Sequence, residues 1–144
     1  MSASVHRPQL VVYSHDSAVR KSLIAALGSA VASDMPPHDI HEFATGSALR
    51  VFVDRKGPEG RCRADLFILD GEAVPEGGLG IARQLKDEVF NCPPVMVVIA
   101  RADDAWLAAW SRADATITHP VDPFTVAHKV ADLLRARLLA DTTN

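Results

Sequence analysis

Hydrophobic and polar positions along the chain fall into short apolar runs separated by longer amphipathic stretches. Residues 10–13 (LVVY) form an aliphatic and aromatic run that stops at Ser14, His15, Asp16 and Ser17. This pattern predicts a strand followed by a turn and a helix cap. From Ser17 onward, Val19, Leu23, Ala26, Leu27 and Val31 recur at spacings of three and four. They predict a helix with one buried stripe, Arg20 and Lys21 lying off it, extending until Met35, Pro36 and Pro37 break it. Residues 39–44 read as a weaker strand, and residues 47–54 as a short helix closed by Lys56, Gly57 and Pro58.

The second half repeats the alternation more strongly. Residues 64–69 (ADLFIL) are continuously apolar after Asp65, as in a strand covered on both faces, and Asp70 follows at once. A glycine-rich loop over residues 71–78 leads into a helix carrying Leu79, Ala82, Leu85 and Val89. Pro93 and Pro94 then announce the strand VMVVIA at 95–100. Residues 103–113 predict a helix and residues 115–119 a strand. Asp122 with Pro123 supplies an N-cap and a first-turn proline for a last helix running to about Leu139. Five strands alternating with five helices predict an α/β fold, a doubly wound parallel sheet covered by helices on both faces. The 144 residues are read as one domain with its core over about 9–139. The tail after Leu139 is too short for an effector domain, so output is expected from the domain's own surface.

Composition narrows the function classes. With 48% hydrophobic and 23% charged residues the chain is expected to fold around a core. A net charge of −3 offers no basic footprint for nucleic acid. No apolar stretch reaches membrane-span length and the start MSASVHRPQL lacks a signal-peptide core, so a cytoplasmic protein without membrane insertion is expected. Two cysteines fit a reducing compartment. Cys62 lies eight residues before Asp70 and Cys92 eight before Ala100, which predicts adjacent strands in similar register. Both thiols would then lie about 25 Å from Asp70 at ~3.3 Å per residue, as two reduced groups or as a pair near disulfide distance. Twenty-two alanines, and eleven arginines against four lysines, suggest a GC-rich bacterial genome.

In an open parallel sheet, ligands bind beyond the carboxyl ends of the strands, which here carry Ser14, His15, Asp70, Ala100 and His119. The first helix with Arg20, the strand ADLFILD ending in Asp70, Gly78 opening the third helix, and His119-Pro120 before the last helix occur in order. In these features the chain resembles the receiver domain of two-component response regulators, over about residues 9–139. The resemblance implies a flavodoxin-like (βα)5 fold with strand order 2-1-3-4-5 and Asp70 as the phosphoacceptor of a phosphorelay. It also implies two acidic Mg²⁺ ligands after the first strand, where this chain has Ser14 and His15. Ala100 replaces the family's Thr or Ser, His119 its Lys, and Thr116 its aromatic switch residue; the loop proline falls at Pro75. The pocket is therefore read as degenerate, an atypical receiver with no metal or other cofactor, since Mg²⁺ needs several oxygen ligands. Asp16 is read as a helix cap, Glu72 as a solvated loop charge, and Asp70 as a carboxylate held by backbone donors or paired with His119 or His15.

Other classes are weighed against this one. Ser14, His15 and Asp16 are consecutive and cannot converge as a nucleophilic triad. Ser14, His119 and Asp70 together are conceivable at the strand ends, but no oxyanion-hole loop accompanies them. The turn SHDSA lacks the glycine that a phosphate-bearing flavin would need. The helix with Ala105, Trp106, Leu107, Ala108, Ala109 and Trp110 is apolar almost all round. Either both tryptophans pack inward, or Trp110 is an exposed anchor in a partner or homodimer surface formed by helix 4, strand 5 and helix 5. The expected function is that of a non-enzymatic receiver acting in signal transduction through protein–protein interaction, independent of phosphorylation. The alternative is a single-domain response regulator that accepts phosphate on Asp70 from a histidine kinase with Mg²⁺.

Overall fold

A computed structural model describes residues 6–143, with side chains through 138. Five parallel strands, β1 Gln9–Tyr13, β2 Asp39–Phe43, β3 Leu66–Asp70, β4 Val95–Ile99 and β5 Ala115–Thr118, form one sheet in the order β2-β1-β3-β4-β5. Between and after them run α1 Ser17–Leu27, α2 Gly46–Asp54, α3 Gly78–Glu88, α4 Ala105–Trp110 and α5 Pro123–Thr143. The fold is the doubly wound (βα)5 architecture expected from the strand–helix alternation.

Alternation along the central strands divides the core into two layers. Val11, Tyr13, Phe67, Leu69, Val95, Val97 and Ile99 face Leu49, Phe52, Ile81 and Leu85 from α2 and α3. Leu10, Val12, Leu66, Ile68, Met96, Val98 and Ile117 face Leu23 and Leu27 of α1 and Val126, Val130 and Leu134 of α5. Every residue of β3 and β4 is buried, so neither strand needs the polar alternation of a one-sided sheet. Each such aliphatic side chain contributes about 1.5–3 kcal/mol by leaving water.

Several boundaries differ from the pattern-based expectation. The first helix stops at Leu27 because Gly28 takes φ 57° and its N–H closes the last turn onto Ile24 O. Val31 and Met35 are buried from the loop that follows instead. The helix expected over 103–113 contracts to the six residues of α4, preceded by a 3₁₀ turn at Ala102–Asp104. Its end comes where Arg112 takes φ 65°. Asp70 is the last residue of β3 rather than the first of a loop. The last helix runs on to Thr143 instead of ending near Leu139. Phe67 pairs with Val95 and Asp70 with Val98, so Cys62 and Cys92 are out of step by two residues. Both are free, half-buried thiols packed against the same core layer. Burial pushes the Cys92 thiol up to about 11.

Candidate functional site

The site lies where the α1/α5 layer meets the carboxyl ends of the strands. Leu10 and Val12 of β1 alternate toward that layer, and Ser14 is the next residue on the same face. Leu66 and Ile68 of β3 likewise lead to Asp70. Asp70 is 2% exposed and Ser14 fully buried. The Ser14 hydroxyl donates to Asp70 Oδ2 at 2.8 Å, and the Glu72 N–H donates to Oδ1 at 2.9 Å. His119 Nε2 stands 3.3 Å from the same Oδ1. Ser14 Oγ also accepts from the Asp16 N–H at 3.0 Å, which links the buried serine to the start of α1. Asp16 itself accepts from the Ala18 N–H as the α1 N-cap, as its position suggests.

The two histidines separate. His119 reaches Asp70 from just past the end of β5, with its side chain 27% exposed. His15 is exposed and uses Nδ1 to accept the Val74 N–H at 3.0 Å. Ser14 and His119 both approach the carboxylate, so the carboxylate sits between hydroxyl and imidazole. A serine nucleophile needs the imidazole in that middle place. Ala100 follows β4 directly, half-buried, and brings no hydrogen-bonding side chain. Thr116 lies within β5, where its carbonyl accepts Lys129 Nζ of α5 at 2.6 Å.

Sequence reasoning missed the braces of the loop over residues 71–77. Gly78 starts α3 so close to β3 that a Cβ there would stand 2.7 Å from the Asp70 carbonyl oxygen, which fixes glycine at that position. Arg50 of α2 grips Glu76 through two hydrogen bonds and also reaches Gln84 of α3. The guanidinium holds the Glu76 carboxyl below its usual range. Buried Tyr13 donates to the Glu76 carbonyl at 2.5 Å, and burial pushes its phenol up. Arg20 of α1 donates to the Ser14 carbonyl at 2.6 Å and to Glu42 of β2 at 3.1 Å. The one signal for the Tyr13 brace was a lone tyrosine closing an aliphatic strand; Arg50 and Glu76 gave none.

Both tryptophans of α4 are exposed, Trp106 at 68% and Trp110 at 49%, while Ala108 is the buried member of the helix. Inward packing of the pair is therefore excluded. Arg83 of α3 stacks over the Trp110 ring at 5.2 Å and donates to its carbonyl at 2.9 Å. Trp110 thus leans on α3.

No protein-family model matches the chain. A response regulatory protein of Mycobacterium tuberculosis is 47% identical over 128 residues, spanning 89% of this chain and 92% of that protein, with the same figures in two strains. The chain belongs to the response regulators. Solved receiver structures share its fold. The signal receiver domain of a LuxO repressor protein from Vibrio parahaemolyticus superposes with a TM-score of 0.74 at 18% identity, over 96% of this chain and 98% of that one. A CheY-like receiver domain from Methanospirillum hungatei gives 0.71 at 16%, over 94% and 99%. DrrB of Thermotoga maritima gives 0.72 at 16%, and this receiver spans 54% of that longer chain. Strand order 2-1-3-4-5 is common ground with receiver domains. The chain is accordingly a response-regulator receiver domain of two-component signalling. Among the described residues no helix is long and apolar enough to cross a membrane.

The residues of this receiver do not fit the magnesium ion its family implies. Mg²⁺ takes oxygen ligands in octahedral geometry, usually with more than one carboxylate or phosphate group nearby. Here one buried carboxylate is bonded to a hydroxyl, an N–H and an imidazole. Among the described residues, no three His, Cys, Asp or Glu side chains converge as a metal site.

Proposed function

We propose that this receiver signals by binding other proteins in a form that does not depend on phosphorylation of Asp70, and that it has no catalytic turnover of its own. The observation that carries this reading is the state of the Asp70 carboxylate, buried and with both oxygens engaged by Ser14, Glu72 and His119. Phosphoryl transfer needs an in-line approach to a free carboxylate oxygen and cationic stabilisation of the equatorial oxygens. Ser14 and His15 stand where the resemblance places acidic metal ligands, and Ala100 has no donor for the phosphoryl group. Removing one charge-stabilising donor costs ~10²-fold or more in comparable sites, so the combined replacements support a silent phosphoacceptor. Charge and hydropathy favour a cytoplasmic protein partner over nucleic acid or membrane.

The test is incubation with Mg²⁺ and a small phosphodonor, followed by intact mass measurement. The expected mass is unchanged. Prompt addition of one phosphoryl group, absent in Asp70→Asn, overturns the reading and makes the chain an ordinary target of a histidine kinase. Restoration should be stepwise: Ser14→Asp with His15→Asp brings back Mg²⁺ affinity first, and Ala100→Thr with His119→Lys is needed before phosphorylation follows.

A further inference from the structure

Along α4 the exposed surface is graded in both charge and polarity. At its amino end stand exposed Asp103 and half-exposed Asp104 beside exposed Arg101, a net charge of −1. At its carboxyl end Asp87 of α3 is bridged by Arg112 at 2.6 Å and by Arg83 at 3.4 Å, a net charge of +1. Between the two ends lie Trp106 and Trp110, four residues and about one helical turn apart, hence on one stripe. Arg83 stacked on Trp110 fixes that stripe on the α3 side.

We propose that this α3–α4 face pairs with the same face of a second copy of the chain, the two α4 helices antiparallel about a two-fold axis. The proposal rests on the reading of this receiver as one that acts by protein contact. A two-fold arrangement brings the acidic end of each α4 against the basic end of the other, so the charges complement each other twice. It also sets Trp106 of each copy near Trp110 of the other. At 68% and 49% exposure the two rings offer roughly 300 Å² per copy. That is over a third of the ~800 Å² each partner contributes to a standard interface, and it lies at the centre, where tryptophan and arginine act as hot spots. A heterologous partner would need only aromatic or acidic complementarity. The opposed net charges at the two ends of one short helix are what a second copy matches.

The experiment is sedimentation velocity of the full chain across concentration, with intact mass recorded on the same samples so that phosphorylation is read separately. A dimer is expected without phosphodonor. Trp106→Ala and Trp110→Ala should each weaken it by about 30-fold or more. Asp103→Lys combined with Asp104→Lys gives two basic ends, and Arg112→Asp gives two acidic ends. Each variant alone should be monomeric, while a 1:1 mixture of the two should recover a heterodimer. All these positions are at least partly exposed, and unchanged far-UV circular dichroism confirms folding. A chain that stays monomeric to several hundred micromolar overturns the proposal. So does a dimer that survives both tryptophan substitutions, or a mixture that fails to pair. None of these outcomes bears on whether Asp70 is phosphorylated, which the mass alone decides.

Discussion

Ser14 stands where the receiver resemblance would place a metal-binding acid and donates a hydrogen bond to the buried Asp70 carboxylate instead. A buried carboxylate bonded on both oxygens is stabilised only while those donors remain. Ser14→Ala should remove about 1–3 kcal/mol of stability, because it takes the Ser14 donor away from Asp70 Oδ2 in a buried place. Urea denaturation of wild type and variant measures this directly. Asp70→Asn should cost less, since the amide carbonyl can still accept from Ser14 or Glu72. This pattern inverts what a metal-dependent site would show, where acidic neighbours repel one another and neutralising one of them stabilises the apo domain. The sequence made Ser14, Asp70 and His119 legible as neighbours because the strand ends of a parallel sheet converge. It left the choice between His15 and His119 open, since both follow strands. The distinction depends on His15 turning outward to Val74, a loop geometry no periodicity encodes.

Among the elements, the strands were the most legible and α4 the least. Apolar runs such as VMVVI can be satisfied only between two helical layers, whereas helix ends hang on single residues such as Gly28 and Arg112 at positive φ. The cysteine register failed for a related reason. Counting back from Asp70 and Ala100 assumes that both residues mark equivalent strand ends, but Asp70 pairs with Val98. The connection between β3 and α3 shows how element packing protects the site. Gly78 lets α3 begin against the backbone of Asp70, with room for no side chain. Gly78→Ala should displace the first turn of α3 and cost ~1–3 kcal/mol, typical of overpacking against a rigid neighbour. Its thermal midpoint should fall, and hydrogen exchange should accelerate first at the amides of 71–77. The Arg50–Glu76 bridge is more than one-third exposed on each side, so Arg50→Ala should cost no more than about 1 kcal/mol. The same amides should nevertheless exchange faster, because the bridge restrains the loop rather than the core.

Across the whole molecule, stability toward acid should be governed by a group remote from Asp70. His38 precedes β2, is 7% exposed, and among the described residues neither ring nitrogen makes a hydrogen bond of good geometry. Its backbone N–H bonds to Ser29 O, which ties the segment after α1 to the start of the sheet. Burial holds the imidazole below its ordinary value, with the Arg7 charge acting in the same direction and outweighing the opposing pull of Gly28 and Asp39. In the unfolded chain the same histidine titrates near 6.5. Between the lowered folded value and 6.5 the unfolded state binds more protons, so stability rises with pH across that window. His38 therefore adds no penalty well above pH 6.5; stability falls as the pH drops through 6.5 and levels off below the folded value. The carboxylates paired in the fold, including Glu76 with Arg50 and Asp87 with Arg112, act in the same direction but at lower pH, as they protonate. The two limbs are separable by substitution. His38→Leu, close in volume and without a titrating group, should flatten the dependence of unfolding free energy on pH as the pH falls through about 6.5. It should leave the steeper loss below about pH 4.5 in place. Urea unfolding at a series of pH values provides the measurement. An unchanged slope below about pH 6.5 in the leucine variant would overturn the assignment of that limb to His38.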